Sequence, residues 1–215
     1  MLVAEIHKTD ASAPSALRIV ERETPALPSD GAIVRLSGCG FCGSDLDKLV
    51  NQKAPSGSVL GHEVTGIIEA LAPDHGTAFA VGDRIVTSHH VPCGACHYCI
   101  NDSESMCRAF KTSNLIPGGF AERIALGAGH LQHTAFKIPD GITDAEAACV
   151  EPLACTIRAV KRGGASVNGT TAIVGLGFIG LMAAQLYQNR GDRVIGLDLA
   201  EDRLQLATAH GFVNA

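Results

Sequence analysis

Residues 93–107 read CGACHYCINDSESMC and hold four of the chain's eight cysteines, Cys93, Cys96, Cys99 and Cys107. Thiols this close either pair as disulfides or share a metal ion. The N-terminus, MLVAEIHKTD, mixes charges into its first residues and offers no apolar h-region, so no secretory signal is expected and the cytoplasm is the predicted location. A reducing compartment disfavours structural disulfides, and 215 residues can bury a core without staples. Metal is therefore the expectation. Two C-x-x-C steps, then seven residues and a fourth Cys, let a loop wrap one tetrahedral ion, with Gly94 and Asn101-Asp102-Ser103 supplying the turns. Four thiolates suit zinc and leave no open position, so this lobe (residues 91–109) is predicted to be structural.

Two further groups carry chemistry. Upstream, GCGFCGSD and GHE bring Cys42, His62 and Glu63, three chemically different zinc ligands, into a glycine-punctuated region. Singly, such a Cys is ordinarily core and such a His a satisfied polar group; their company gives them weight. Downstream, TTAIVG reads as a buried strand and runs straight into GLGFIG, with Gly175, Gly177 and Gly180 spaced G-x-G-x-x-G before a helix. In that context the first glycine serves a tight turn, the second a close pyrophosphate, and the third helix–strand packing. Phosphates would rest on the free N–H groups of the helix N-terminus. Asp198 ends the next strand, 18 residues past Gly180, where a carboxylate can take ribose hydroxyls and would repel a 2′-phosphate. NAD is accordingly expected over NADP. Phe178 and Ile179 inside the loop and Arg203 in the second helix complete the predicted cofactor-binding set.

The elements that must position these groups fall into regions of different texture. Residues 1–90 are β-like, with GAIVRLSG, VTGIIEAL and GDRIVTSHH separated by Gly, Pro and Asp. The cysteine lobe interrupts them, and strand-and-turn patterning resumes from PGGFAE as far as Pro139. From Thr143 the texture is helical, TDAEAACVEPLACTIRAVKR, with Thr143 and Glu146 spaced as a capping box. After GGASVNG comes a strand–helix–strand–helix run. A β-rich unit over 1–152 and a partial dinucleotide-binding unit over 153–215 are expected. The formal charge of -5 without a basic run argues against nucleic acid. The longest apolar-plus-glycine run, Ala172–Ala184, is thirteen residues, short of the roughly 18 a membrane helix needs.

In family order, CGFCGSD, GHEVTG, VGDRIV, the cysteine lobe, GGFAE, VEPLAC and VGLGFIG resemble the zinc-dependent medium-chain dehydrogenases of the alcohol dehydrogenase superfamily, on their polyol and threonine dehydrogenase side. The resemblance implies a GroES-like catalytic domain, then a Rossmann domain, with a catalytic zinc between them. It makes Cys42 the thiolate ligand, His62 the imidazole ligand and Glu63 a carboxylate binding directly or through water. Glu151, in EPLA, stands where many relatives place a second cysteine. Zn²⁺ with one thiolate, an imidazole and one carboxylate is formally neutral, so one of Glu63 and Glu151 is expected in the shell at a time. Asp45 would orient His62. The implied chemistry is oxidation of an alcohol or polyol, or an amino alcohol such as threonine. Zinc acts as Lewis acid, Ser44 takes the alcohol proton, and NAD takes the hydride. Asp47 replaces the histidine that relays the proton outward in many relatives. A homo-oligomer, dimer or tetramer, is implied for the full-length form.

Length departs from the family: HGFVNA falls where a third Rossmann strand is due. A fragment, or a chain completed by a partner, is the expectation. A zinc-binding remnant without turnover is the alternative function. A zinc-free quinone reductase would need neither the lobe nor GHE.

Overall fold

A computed structural model describes residues 1–8, 14–164 and 168–214. The chain forms two compact units, Met1–Glu151 and Pro152–Ala215. In chain order the first holds β1 (Leu2–His7), β2 (Ala16–Glu21), β3 (Ala32–Gly40), α1 (Gly43–Val50), β4 (Glu63–Leu71) and β5 (Arg84–Thr87). Then come α2 (His97–Ile100), α3 (Arg108–Thr112), β6 (Arg123–Leu126), α4 (Ala128–His133), β7 (Ala135–Lys137) and α5 (Asp144–Ala148). The unit boundary falls in α6 (Val150–Arg162), followed by β8 (Thr170–Val174), α7 (Phe178–Asn189), β9 (Arg193–Leu197), α8 (Glu201–Ala209) and β10 (Val213–Asn214).

In the first unit β1 and β2 form an antiparallel hairpin, and five strands make an antiparallel sheet in the order β6-β3-β4-β5-β7. Val34, Val64, Ile68, Ile85, Ile124 and Leu126 from four of these strands close one buried cluster. Each such side chain stabilises the unit by about 1.5–3 kcal/mol on leaving water. The β-branched residues that read as strands in the sequence are those this pleated, half-buried surface favours.

Two stretches differ from the sequence expectation. Residues 128–133, predicted as strand and turn, form α4, which buries His130 and Leu131. The segment is too short and glycine-flanked to show a helical period. The helix expected to run unbroken from Thr143 divides at Cys149 into α5 and α6. Pro152 explains the division: it has no N–H for the Ala148 carbonyl and its ring would strike that carbonyl, but in the first turn of a new helix it is tolerated. The start is as its sequence implies. Thr143 Oγ1 accepts the Glu146 N–H at 3.2 Å, and Glu146 Oε2 accepts the Thr143 N–H at 2.8 Å.

In the second unit β10, β9 and β8 lie parallel in that order, with Ala172 opposite Ile195. Leu176, Ala184, Tyr187, Val194, Ala207 and Phe212 form its core. α7 begins at Phe178, inside the glycine motif, so the phosphate loop and the helix N-terminus are continuous. The antiparallel unit followed by a parallel βαβ segment is the expected fold class. Among the described residues no helix is long and apolar enough to cross a membrane.

Candidate metal centres and nucleotide loop

Strand register assembles the first centre. β3 and β4 pair so that Gly40 faces Glu63. Cys42 lies two residues past the end of β3, and His62 one residue before β4, so both reach the same end of the sheet. The Cys42, His62 and Glu63 ligand atoms all lie within 4.8 Å of one another. Gly40 makes this possible, because a Cβ there would collide with Glu63 Oε2. Cys42 is the N-cap of α1, and the Ser44 N–H donates to its sulfur at 3.4 Å.

Asp45 organises the trio from beneath. Its fully buried carboxylate faces His62 Nδ1 at 3.5 Å through Oδ1 and accepts the Gly61 N–H at 3.3 Å; Oδ2 accepts the Cys42 N–H at 3.2 Å. Burial would raise this carboxyl, but His62 and those two amides hold it below its ordinary value. In return the Asp45 carboxylate, against the opposing effect of burial, raises His62 to about 9. The negative charge that holds a proton on His62 also favours a metal cation beside it, and the two compete for the ring. Burial raises Glu63. Glu151 acts electrostatically on His62 and Glu63 but lies outside the trio of ligand atoms. Asp47 is exposed to a surface network, with Lys53 Nζ at 2.7 Å and Asn51 Nδ2 at 2.7 Å.

The lobe gathers Cys93, Cys96, Cys99 and Cys107 with all four sulfurs within 4.8 Å of one another. Cys96 and Cys99 sulfurs stand 3.6 Å apart, and Cys93 and Cys99 3.9 Å. A tetrahedron with Zn–S of about 2.3 Å has sulfur–sulfur edges of about 3.8 Å, so the cage fits zinc. All eight cysteines are free. The Phe110 N–H lowers Cys107 to about 6 and the Ala95 and Cys96 N–H groups lower Cys93, whereas burial and the neighbouring Cys96 thiol raise Cys99 to about 12. Backbone amides aimed at sulfur favour the thiolates a metal needs.

In the second unit Gly175 takes a left-handed φ of +92° at the end of β8, and a Cβ on Gly180 would strike the Gly175 carbonyl oxygen. A cavity of about 870 Å³ is lined by Val174, Gly175, Leu197, Asp198, Leu199 and Arg203 among others. Asp198 Oδ2 accepts the Leu176 N–H at 2.7 Å and Oδ1 the Ala200 N–H at 2.9 Å, with Arg203 Nη1 3.4 Å from Oδ2. The Ala200 and Leu176 amides, with Arg203 behind them, hold this carboxyl below its ordinary value. Phe178 and Ile179 are exposed at the start of α7.

Residues 28–140 match the family model of the alcohol dehydrogenase GroES-like domain. The chain belongs to the zinc-containing alcohol dehydrogenase superfamily. It is 33% identical over 206 residues to an alcohol dehydrogenase from Geobacillus stearothermophilus, covering 91% of this chain and 58% of that protein. It is likewise 33% identical to D-altritol 5-dehydrogenase from Agrobacterium fabrum, covering 92% of this chain and 60% of the relative. Among solved structures, a short chain alcohol dehydrogenase from Escherichia coli complexed with NADH superposes with a TM-score of 0.82 at 27% identity, over 100% of this chain and 62% of that one. The chain thus spans about 60% of the length of the superfamily members it matches.

Sequence reasoning passed over His89 and His90, read only as the end of a strand. The β4–β5 register ends at Val64 opposite Thr87; His62 and His89 lie two residues beyond that pair on their own segments, and their ring centroids are 4.7 Å apart. The signal was present as a histidine pair ending the strand predicted beside GHE. Burial lowers His89 to about 3, so it stacks as a neutral ring.

Proposed function

We propose that this protein oxidises a secondary alcohol or polyol with NAD, using a zinc ion at Cys42, His62 and Glu63, with a second zinc held structurally by the four-cysteine lobe. The observation that carries the reading is the trio itself: one thiol, one imidazole and one carboxylate converging within 4.8 Å. Zinc bound there supplies Lewis acidity toward an alcohol oxygen. Asp45 faces His62 Nδ1, so Nε2 is the nitrogen that would hold the cation. The Ser44 hydroxyl, exposed in the first turn of α1 two residues after Cys42, is the group that accepts the alcohol proton and passes it to solvent. Asp47, committed to Lys53 and Asn51, takes no part in that path. The glycine loop receives the NAD pyrophosphate and Asp198 the adenosine ribose. NAD is the hydride acceptor.

D-altritol 5-dehydrogenase among the relatives supports a polyol as the substrate class. Elemental analysis tests the metal half of the reading, with two zinc ions expected per chain and one each for Cys42→Ala and Cys107→Ser. NADH formation over a panel of sugar alcohols tests the chemistry, and is expected to vanish in Cys42→Ala. Unchanged zinc content in both variants would sink the assignment.

A further inference from the structure

The two metal centres are joined by a column of rings. His62 packs on His89 with centroids 4.7 Å apart, His89 on His90 at 3.8 Å, and His90 on Phe110 at 4.6 Å. The first ring belongs to the Cys42–His62–Glu63 trio. The last sits in α3, whose Phe110 N–H points at the sulfur of Cys107 in the lobe.

The column is pinned along its length. His90 Nδ1 donates to the Ser113 carbonyl at 2.7 Å, and the Val91 N–H donates to Ser113 Oγ at 2.7 Å. His130 Nε2 donates to the His89 carbonyl at 3.3 Å. His89 Nδ1, by contrast, is buried and has no hydrogen-bond partner among the described residues. The contacts of the His89 ring to His62 and His90 are made through its faces. A rotation of His62 would press on His89, and through it on His90 and Phe110, along this run of ring contacts. Close-packed rings transmit such displacements because the interior has little free volume to absorb them.

We infer that His89 and Phe110 are positioning residues for His62, so that filling the four-cysteine lobe raises the metal affinity of the Cys42–His62–Glu63 centre. This rests on the reading that both clusters bind zinc. An ordered α3 fixes Phe110, and the column then holds the His62 imidazole at the angle its cation requires. Partners that orient a ligating histidine change metal affinity by about 10–100-fold. Linkage makes the effect reciprocal: an ion at the trio tightens the lobe by the same factor.

The test is Zn²⁺ affinity measured by competition with a chelating dye, with Cys42→Ala identifying which step belongs to the trio. His89→Ala is expected to weaken the trio about tenfold while the lobe keeps its own ion. His89→Phe should restore wild-type affinity, because it returns the ring faces that contact His62 and His90. Phe110→Ala, at a half-buried position, should weaken the trio in the same way and carries the test if His89→Ala does not fold. Cys93→Ser, which opens the lobe, should lower the trio's affinity by a similar factor. Trio affinity in both His89→Ala and Phe110→Ala equal to wild type overturns the inference, as does His89→Phe no better than His89→Ala. Wild-type protein holding an ion in the lobe alone overturns this inference and the proposed function together, which separates that result from a failure of the coupling.

Discussion

Asp45 Oδ1 stands 3.5 Å from His62 Nδ1, and the same carboxylate accepts the amides of Gly61 and Cys42. One buried side chain thus sets the ring angle of one ligand and the backbone position of another. Asp45→Asn keeps the shape but loses the charge that raises His62. Its zinc affinity at the trio should fall by about 10–100-fold, read by dye competition, with the lobe ion retained. Asp45→Ala should in addition lower the urea midpoint, because two amides lose their acceptor at about 1–3 kcal/mol each.

The glycine loop separates folding from binding. A Cβ at Gly180 would meet the Gly175 carbonyl oxygen, whereas a Cβ at Gly177 would find Arg203 Nη1 no nearer than 3.8 Å. Gly180→Ala should therefore lose about 1–3 kcal/mol of stability in a denaturant titration as well as NADH binding. Gly177→Ala should keep wild-type stability and still lose NADH affinity, because its methyl group occupies the approach of the pyrophosphate. NADH fluorescence with both variants checks the pair.

Asp198 holds the loop geometry through the Leu176 and Ala200 amides, and in the proposed function it also sets cofactor choice. Asp198→Asn keeps an oxygen for the Leu176 or Ala200 amide but removes the negative charge that the proposed function sets against the ribose. The preference for NAD over NADP should narrow about tenfold, as expected for relieving a like-charge contact near the surface. Competitive displacement of NADH by each oxidised cofactor measures it. An unchanged ratio would leave Asp198 with a structural role only.

Acid should weaken the first unit through His130. Burial lowers this histidine below its ordinary value, with its bond to the His89 carbonyl opposing the shift. The unfolded chain protonates it near 6.5, so below that pH the unfolded state binds the extra proton and the native state does not. Its share of stability is complete above about pH 6.5 and is lost as pH falls toward the lowered native value. Urea midpoints at about pH 7.5 and about pH 5.5 should differ less in His130→Gln than in wild type. His89 and His90, also lowered by burial, keep part of the slope in the variant.

What could be read beforehand was local in sequence. The cysteine spacing, the glycine loop with its strand and helix, and the Thr143–Glu146 cap each lie within a few residues. What could not be read depends on pairing between distant strands. His89 meets His62 because β4 and β5 share a register that neither strand specifies alone. Glu63 reaches Cys42 and His62 at the end of the sheet because Gly40 and Glu63 are paired across β3 and β4. α4 went unread because six residues beside a glycine show no period, and its anchor is a histidine bonded to a carbonyl forty-one positions away.

Gly40 also constrains how this centre can change over generations. Any side chain at position 40 begins where Glu63 Oε2 now lies, and its Cβ would stand 3.0 Å from the Glu63 Cβ and Cδ. Position 63 can exchange its carboxylate for a shorter residue with Gly40 in place. Position 40 can grow only if the Glu63 carboxylate swings out of its present place. Descent of this sequence is therefore ordered at this pair: a side chain gained at position 40 displaces the Glu63 carboxylate from the trio, so the two positions change together rather than independently.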